Sequence, residues 1–136
     1  MFHIGLVLAF GALALAQPMV IREDHGGPLP ARLQEIEVLR REARPVEIRG
    51  ICFSSCTLYL GLNDVCLSPQ AVIGLHGPSW KGAPLGPLAF EEWSQVFARS
   101  YKEPLRGWYL RVGRYELKRI YRFKGQQLID WGYPSC

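Results

Sequence analysis

The stretch "PMVIREDHGGPLPARLQEIEVLRREARPVEIRGICFSSCT", residues 18–57, decides the fold. It opens on a short β-branched run, PMVIRED, which reads as a strand, and breaks at HGGPLP, where glycine and proline favour a turn. LPARLQEIEVLRREAR then places Leu29, Leu33, Ile36 and Leu39 along one helical face with Arg and Glu elsewhere, the pattern of an amphipathic helix. Pro45 ends it. VEIRG alternates apolar and charged residues as a second strand, and SSCTLYLGL reads as a short buried helix. After a turn at Asn63-Asp64, VCLSPQAVIGLHGPS holds a third strand, Ala71 to Leu75, with His76 at its C-terminal end.

Strand, helix, strand, helix, strand is the grammar of a parallel α/β sheet with crossover helices. Ligand chemistry in such sheets gathers at the carboxyl ends of the strands. Here those ends carry Gly26-Gly27, Ser54-Ser55 and His76. The remaining sequence, from GPLAFEEW to the C-terminus, reads as mostly helical. Trp93, Phe97 and Tyr101 recur at intervals of four and are expected to pack on the sheet or on another subunit.

A chain of 136 residues suffices for one small domain. Its first residues, MFHIGLVLAFGALALAQP, form an apolar run closed by Ala14-Leu15-Ala16, the small-x-small pattern of a signal-peptidase site. Residues 1–16 are therefore expected to be a secretory signal peptide, and 17–136 a single exported domain, periplasmic or secreted, with no membrane attachment once the leader is cut. Export accounts for the even set of four cysteines, Cys52, Cys56, Cys66 and Cys136, which predicts two disulfides. The formal net charge of +4 is mild, and the basic residues are interspersed with acids and aromatics, as on solvated helix faces rather than in a nucleic-acid groove. Cys52, Cys56, Cys66 and His76 could also be counted as a zinc set. Their wide spacing fits no compact zinc ribbon, and export favours disulfides, so no metal is expected. C-x-x-x-C is likewise not the C-x-x-C of thioredoxin-like redox proteins.

Nucleophilic serine chemistry requires a hydroxyl on a sharp turn, a base within reach, and backbone N–H groups aimed where the oxyanion forms. A serine opening a helix after a strand lies among free N–H groups. His76 could act from the neighbouring strand end. The Gly26-Gly27 turn lets backbone approach a ligand closely. The competing account makes Ser54 and Ser55 helix caps in a stapled turn and His76 a structural histidine.

The order of these features resembles the Clp protease proteolytic subunit within the Clp/crotonase superfamily. Those proteins have a strand, a Gly-Gly turn, a helix, a strand, a Gly-x-x-x-Ser turn opening a buried helix, and a strand ending in the catalytic histidine. The resemblance is closer to small exported Clp-protease-like proteins with a Gly-x-Cys-x-Ser-Ala-Cys-Thr turn and a later Cys-x-x-Pro-x-Ala segment. The corresponding residues are Gly50, Cys52, Ser54, Ser55, Cys56 and Thr57, then Cys66, Pro69 and Ala71. The match covers roughly residues 19–80; Ser55 departs from the more usual alanine.

The resemblance implies a Clp/crotonase-like core with a helical C-terminal part. Ser54 falls at the nucleophile and His76 at the base, with the Ser55 N–H and that of Gly27 or Gly26 forming the oxyanion hole. No recognisable Clp aspartate motif is present. Asp130 stands at a plausible distance for the third residue, with Glu116 and Glu103 as weaker candidates, and without one His76 would be held by a backbone carbonyl or water. Loss of the orienting carboxylate costs on the order of 10⁴ in turnover in the trypsin-like case. His25 is a rival base that the resemblance places on the oxyanion side. Pairing Cys56 with Cys66 would tie the helix after the nucleophile to the next strand, and Cys52 with Cys136 would pin the C-terminus to the same turn.

The expected function is an exported serine hydrolase acting on peptide or protein, with no cofactor and no ATPase partner. Homo-oligomerisation through the C-terminal helices is implied by the resemblance. The alternatives are a non-catalytic exported binding or scaffold protein on the same fold, and a basic surface module for nucleic acid or anionic polymers.

Overall fold

The computed structural model describes residues 16–136. The expected leader, residues 1–16, lies outside the described residues except for its last position. Strand β1 (Met19–Asp24) runs parallel to β2 (Val46–Phe53), and helix α1 (Leu29–Arg41) is the crossover between them. On the other edge of β2, two short strands lie end to end, both parallel to it. β3 (Val65–Leu67) pairs with its first half through Val46 and Val65, and β4 (Val72–Leu75) with its second half through Ile51 and Val72. β7 (Tyr121–Lys124) runs antiparallel to β4 and completes a five-stranded sheet. The protein is thus mixed α/β with a mostly parallel sheet.

β2 lies at the centre, and Val46, Ile48, Cys52 and Phe53 are buried accordingly. β1 reaches it through a bulge between Ile21 and Glu23. Gly50 stands opposite, where a Cβ would lie 2.0 Å from the carbonyl oxygen of Arg22, so only glycine allows the two strands to close there. α1 begins at prolines that suit a first turn and ends with Arg40 and Arg41, whose charge complements the helix dipole. It buries Leu29, Ile36 and Leu39, and between them Arg32; Leu33, expected on this face, is 40% exposed. The stripe is offset by one residue because Arg32 and Leu33 both lie one turn from Leu29 or Ile36, and polar partners draw Arg32 inward.

The segment after β2 is a 3₁₀ helix, Ser54–Gly61, buried over most of its length. Beyond β4 the chain makes a small hairpin of β5 (Ser79–Trp80) and β6 (Ala83–Pro84) around Lys81 and Gly82. Both turn residues have positive φ, 48° and 81°, as tight hairpins require. Helices α2 (Pro87–Arg99), α3 (Leu105–Arg111) and α4 (Gly125–Asp130) follow. The expected helical C-terminal part, from Gly86 onward, is therefore interrupted by β7, and the hairpin precedes it. Phe97 and Tyr101 are buried, as their spacing suggests, although α2 ends before Tyr101. No helix among the described residues is long and apolar enough to cross a membrane.

Two disulfides form, with pairings different from those expected. Cys52 joins Cys56, and Cys66 joins Cys136. The sharp turn at Ser54 returns Cys56 over the end of β2, leaving the Cα atoms of Cys52 and Cys56 5.3 Å apart. The C-terminus instead runs along β3: the Leu67 N–H donates to the Pro134 carbonyl and the Cys136 N–H to the Leu67 carbonyl. This brings Cys136 beside Cys66 and away from the serine turn. Two disulfides are compatible with an oxidising compartment, and they engage all four cysteines.

Candidate functional site

The carboxyl ends of β1, β2 and β4 meet around a cleft of about 380 Å³, lined in part by Gly27, Ser54, Ser55 and His76. Ser54 follows the last residue of β2 and has φ of 59°, a left-handed conformation uncommon for a residue with a side chain. Its carbonyl accepts a 2.7 Å hydrogen bond from the Thr57 hydroxyl. Thr57 in turn accepts from the buried Tyr101 hydroxyl at 2.6 Å. Burial pushes the Tyr101 hydroxyl well above its ordinary pKa, so it remains a donor. The turn is also closed covalently, since the Cys52–Cys56 bridge spans Ser54.

Gly26 has φ of 97° and packs directly on this turn: a Cβ there would lie 2.8 Å from the Ser54 Cβ and 3.1 Å from the Phe53 carbonyl oxygen. The Gly26 N–H donates to Asp24 Oδ1 at 2.8 Å. It is therefore engaged, and Gly27, which lines the cleft and has open space beside its Cα, is the glycine left to offer an N–H to a ligand. The N–H of Ser55 belongs to the first turn of the 3₁₀ helix, where no preceding turn supplies an acceptor.

His76 follows β4. Its Nδ1 lies 2.7 Å from the Gly77 carbonyl oxygen. A carbonyl can only accept, so Nδ1 carries the proton and Nε2 is left as a base. The loop is held by Tyr109, which donates to the His76 carbonyl at 3.3 Å, and by the Gly77 N–H, which donates to the Glu116 carbonyl at 2.7 Å. Among the described residues no hydrogen bond joins the Ser54 hydroxyl to His76; in unliganded sites such bonds are often long.

The carboxylates do not join this group. Asp130 is exposed on α4, where it accepts from Gln126 at 2.8 Å. Glu116 accepts the N–H groups of Lys118 and Arg119, which hold its carboxyl below the usual range, and Glu103 accepts from the Gly107 N–H. The Gly77 carbonyl occupies the place an orienting carboxylate would take. His25 lies outside the cleft lining, bonded to Glu23 at 2.9 Å and edge-on to Phe53.

The rest of the cleft is largely apolar. Leu29, Trp80, Trp93 and Phe97 contribute to its walls, with Lys81 at the hairpin turn. A second group was not apparent from sequence motifs: the buried Arg32 and the half-buried Asp24, beneath the Gly26 and Ser55 turns. The one signal for them is an arginine at helical spacing within an otherwise apolar stripe, between Leu29 and Ile36.

A scan of protein-family models finds no match to the chain, and a search of curated proteins finds none either.

Proposed function

We propose that the protein is an exported serine hydrolase of Clp/crotonase-like architecture that cleaves peptide substrates. The observation that carries this reading is the left-handed backbone of Ser54 at the end of β2, in a cleft shared with a histidine whose Nε2 is free. In this reading Ser54 Oγ attacks the scissile carbonyl carbon as His76 Nε2 takes its proton. The oxyanion is held between the N–H groups of Gly27 and Ser55. Collapse of the tetrahedral intermediate breaks the C–N bond, His76 returns the proton to the leaving amine, and water then releases the acyl group by the same route. The apolar walls suit a large apolar side chain beside the scissile bond. A dyad steadied by a carbonyl lacks the charge that stabilises an imidazolium, so turnover is expected to be slow.

The test is fluorophosphonate labelling of the oxidised mature protein. Labelling is expected in the wild type and, at a reduced rate, in Ser55→Ala, which keeps its N–H but loses the hydroxyl that accepts from Arg32, and is lost in Ser54→Ala and His76→Ala. The second reading is a non-catalytic exported binding protein on the same scaffold, favoured by the absence of a carboxylate at His76 among the described residues. A folded wild type that fails to label would refute the hydrolase and leave this second reading.

A further inference from the structure

We propose that Arg32 is a positioning residue of this site, its guanidinium tying the Gly26-Gly27 turn to the Ser54-Ser55 turn so that the two oxyanion donors keep a fixed separation. The inference rests on the hydrolase reading above. Arg32 projects from α1 with its side chain only 10% exposed. Nη2 donates to Asp24 Oδ1 at 2.8 Å, and the same oxygen accepts the Gly26 N–H at 2.8 Å. Nε donates to the Ser55 Oγ at 3.4 Å. Nη1 donates to the Tyr59 hydroxyl and, at 3.3 Å, to Glu35, while the guanidinium lies 4.9 Å above the Tyr59 ring.

One planar group therefore contacts both halves of the site, through Asp24 on one side and Ser55 on the other. Stability alone does not call for an arginine here. Its stripe neighbours Leu29, Ile36 and Leu39 are aliphatic, and buried ion pairs can often be replaced by apolar residues without loss of stability. What an apolar residue could not supply is a rigid fork that reaches four polar partners, Asp24, Ser55, Tyr59 and Glu35, in different directions. Asp24 takes up the Gly26 N–H and is itself held by Arg32, so the turn presents Gly27 in one orientation. Small errors in such a donor's position have large kinetic effects.

The test compares wild type with Arg32→Gln, Asp24→Asn, their double variant, Arg32→Lys, and Leu39→Ala as a destabilised control in the same helix. Labelling is followed as the limiting inactivation rate and the half-saturating fluorophosphonate concentration. Arg32→Gln and Asp24→Asn are each expected to slow the limiting rate roughly 10- to 100-fold, less than the roughly 10²- to 10³-fold seen when an oxyanion donor is removed outright, because the donor is displaced rather than lost. The half-saturating concentration should move by less than about threefold, because the donors act on the transition state. The double variant should be little slower than the worse single one, because both changes abolish the charge of the same Arg32–Asp24 pair. Arg32→Lys should recover part of the rate by pairing with Asp24. Leu39→Ala should melt earlier yet label at the wild-type rate. If Arg32→Gln does not fold, Asp24→Asn, which keeps an acceptor for Gly26, carries the test. Folded Arg32→Gln or Asp24→Asn labelling at the wild-type rate, with Ser54→Ala inert, would overturn the positioning role and leave the hydrolase standing. A folded wild type that does not label would overturn both.

Discussion

Replacing Ser54 by glycine should make the protein more stable while destroying its proposed reactivity. At φ of 59° the Ser54 Cβ crowds its own backbone, which costs about 1–2 kcal/mol for an L-residue. Glycine relieves that strain but gains freedom in the unfolded chain worth about 0.5–1 kcal/mol. The net gain spans about 0–1.5 kcal/mol, and its middle value, about 0.75 kcal/mol, raises the melting temperature of a domain of this size by roughly 3 °C. No hydrogen bond offsets it, because none among the described residues uses the Ser54 hydroxyl. Ser54→Ala keeps the Cβ and the strain, so it should melt with the wild type. The assay is paired thermal denaturation of wild type, Ser54→Ala and Ser54→Gly in oxidising buffer, with fluorophosphonate labelling of each. Ser54→Gly melting no higher than Ser54→Ala would show that the turn is unstrained and remove the main support for a serine elbow.

Two further predictions follow from local geometry. A non-reducing peptide map should join Cys52 to Cys56 and Cys66 to Cys136, against the pairing that sequence position suggested. By loop-closure entropy, replacing Cys66 and Cys136 by serine should cost about 4 kcal/mol in urea unfolding, and replacing Cys52 and Cys56 about 2 kcal/mol; equal costs would contradict the assignment. At Gly77 a Cβ would lie 2.1 Å from the Arg114 carbonyl oxygen, so Gly77→Ala must shift the carbonyl that holds His76 Nδ1. Its labelling rate should fall at least about tenfold, since a misplaced base costs up to about 10²-fold. Unchanged labelling in Gly77→Ala would mean that this carbonyl does not orient the histidine.

The first half of the fold was legible because its signals are local. β1, α1 and β2 carry their periodicities over enough residues to be read directly, and the Gly-Gly turn and the serine turn fall at their ends. The second half depends on pairing between distant segments. β3 is three residues long, too short to show alternation. YRFK, the sequence of β7, sits in a basic run that suits a helix equally well, and only its antiparallel partner β4 makes it a strand. The disulfide partners were hidden for the same reason, since the path of the C-terminus along β3 is a tertiary fact. On α1, helical spacing admits Leu33 and Arg32 alike. The choice of Arg32 comes from Asp24, Ser55 and Tyr59, whose convergence no local pattern records.

The competing account of the serine pair, as helix caps in a stapled turn, can be judged on the same geometry. A cap needs its side-chain oxygen to accept an N–H of the following turn. Ser54 makes no such bond, and the Ser55 Oγ is taken up by Arg32. A cap also has no need of a left-handed backbone. Such a conformation persists only where its surroundings over-determine it. At Ser54 they do so from several sides: a disulfide across the turn, Thr57 and Tyr101 beneath its carbonyl, and Gly26 against its Cβ. None of these engages the hydroxyl. The staple and the strained serine are therefore parts of one device. The bridge holds the backbone in a costly conformation, and the hydroxyl it leaves unpaired is the group that the hydrolase reading requires.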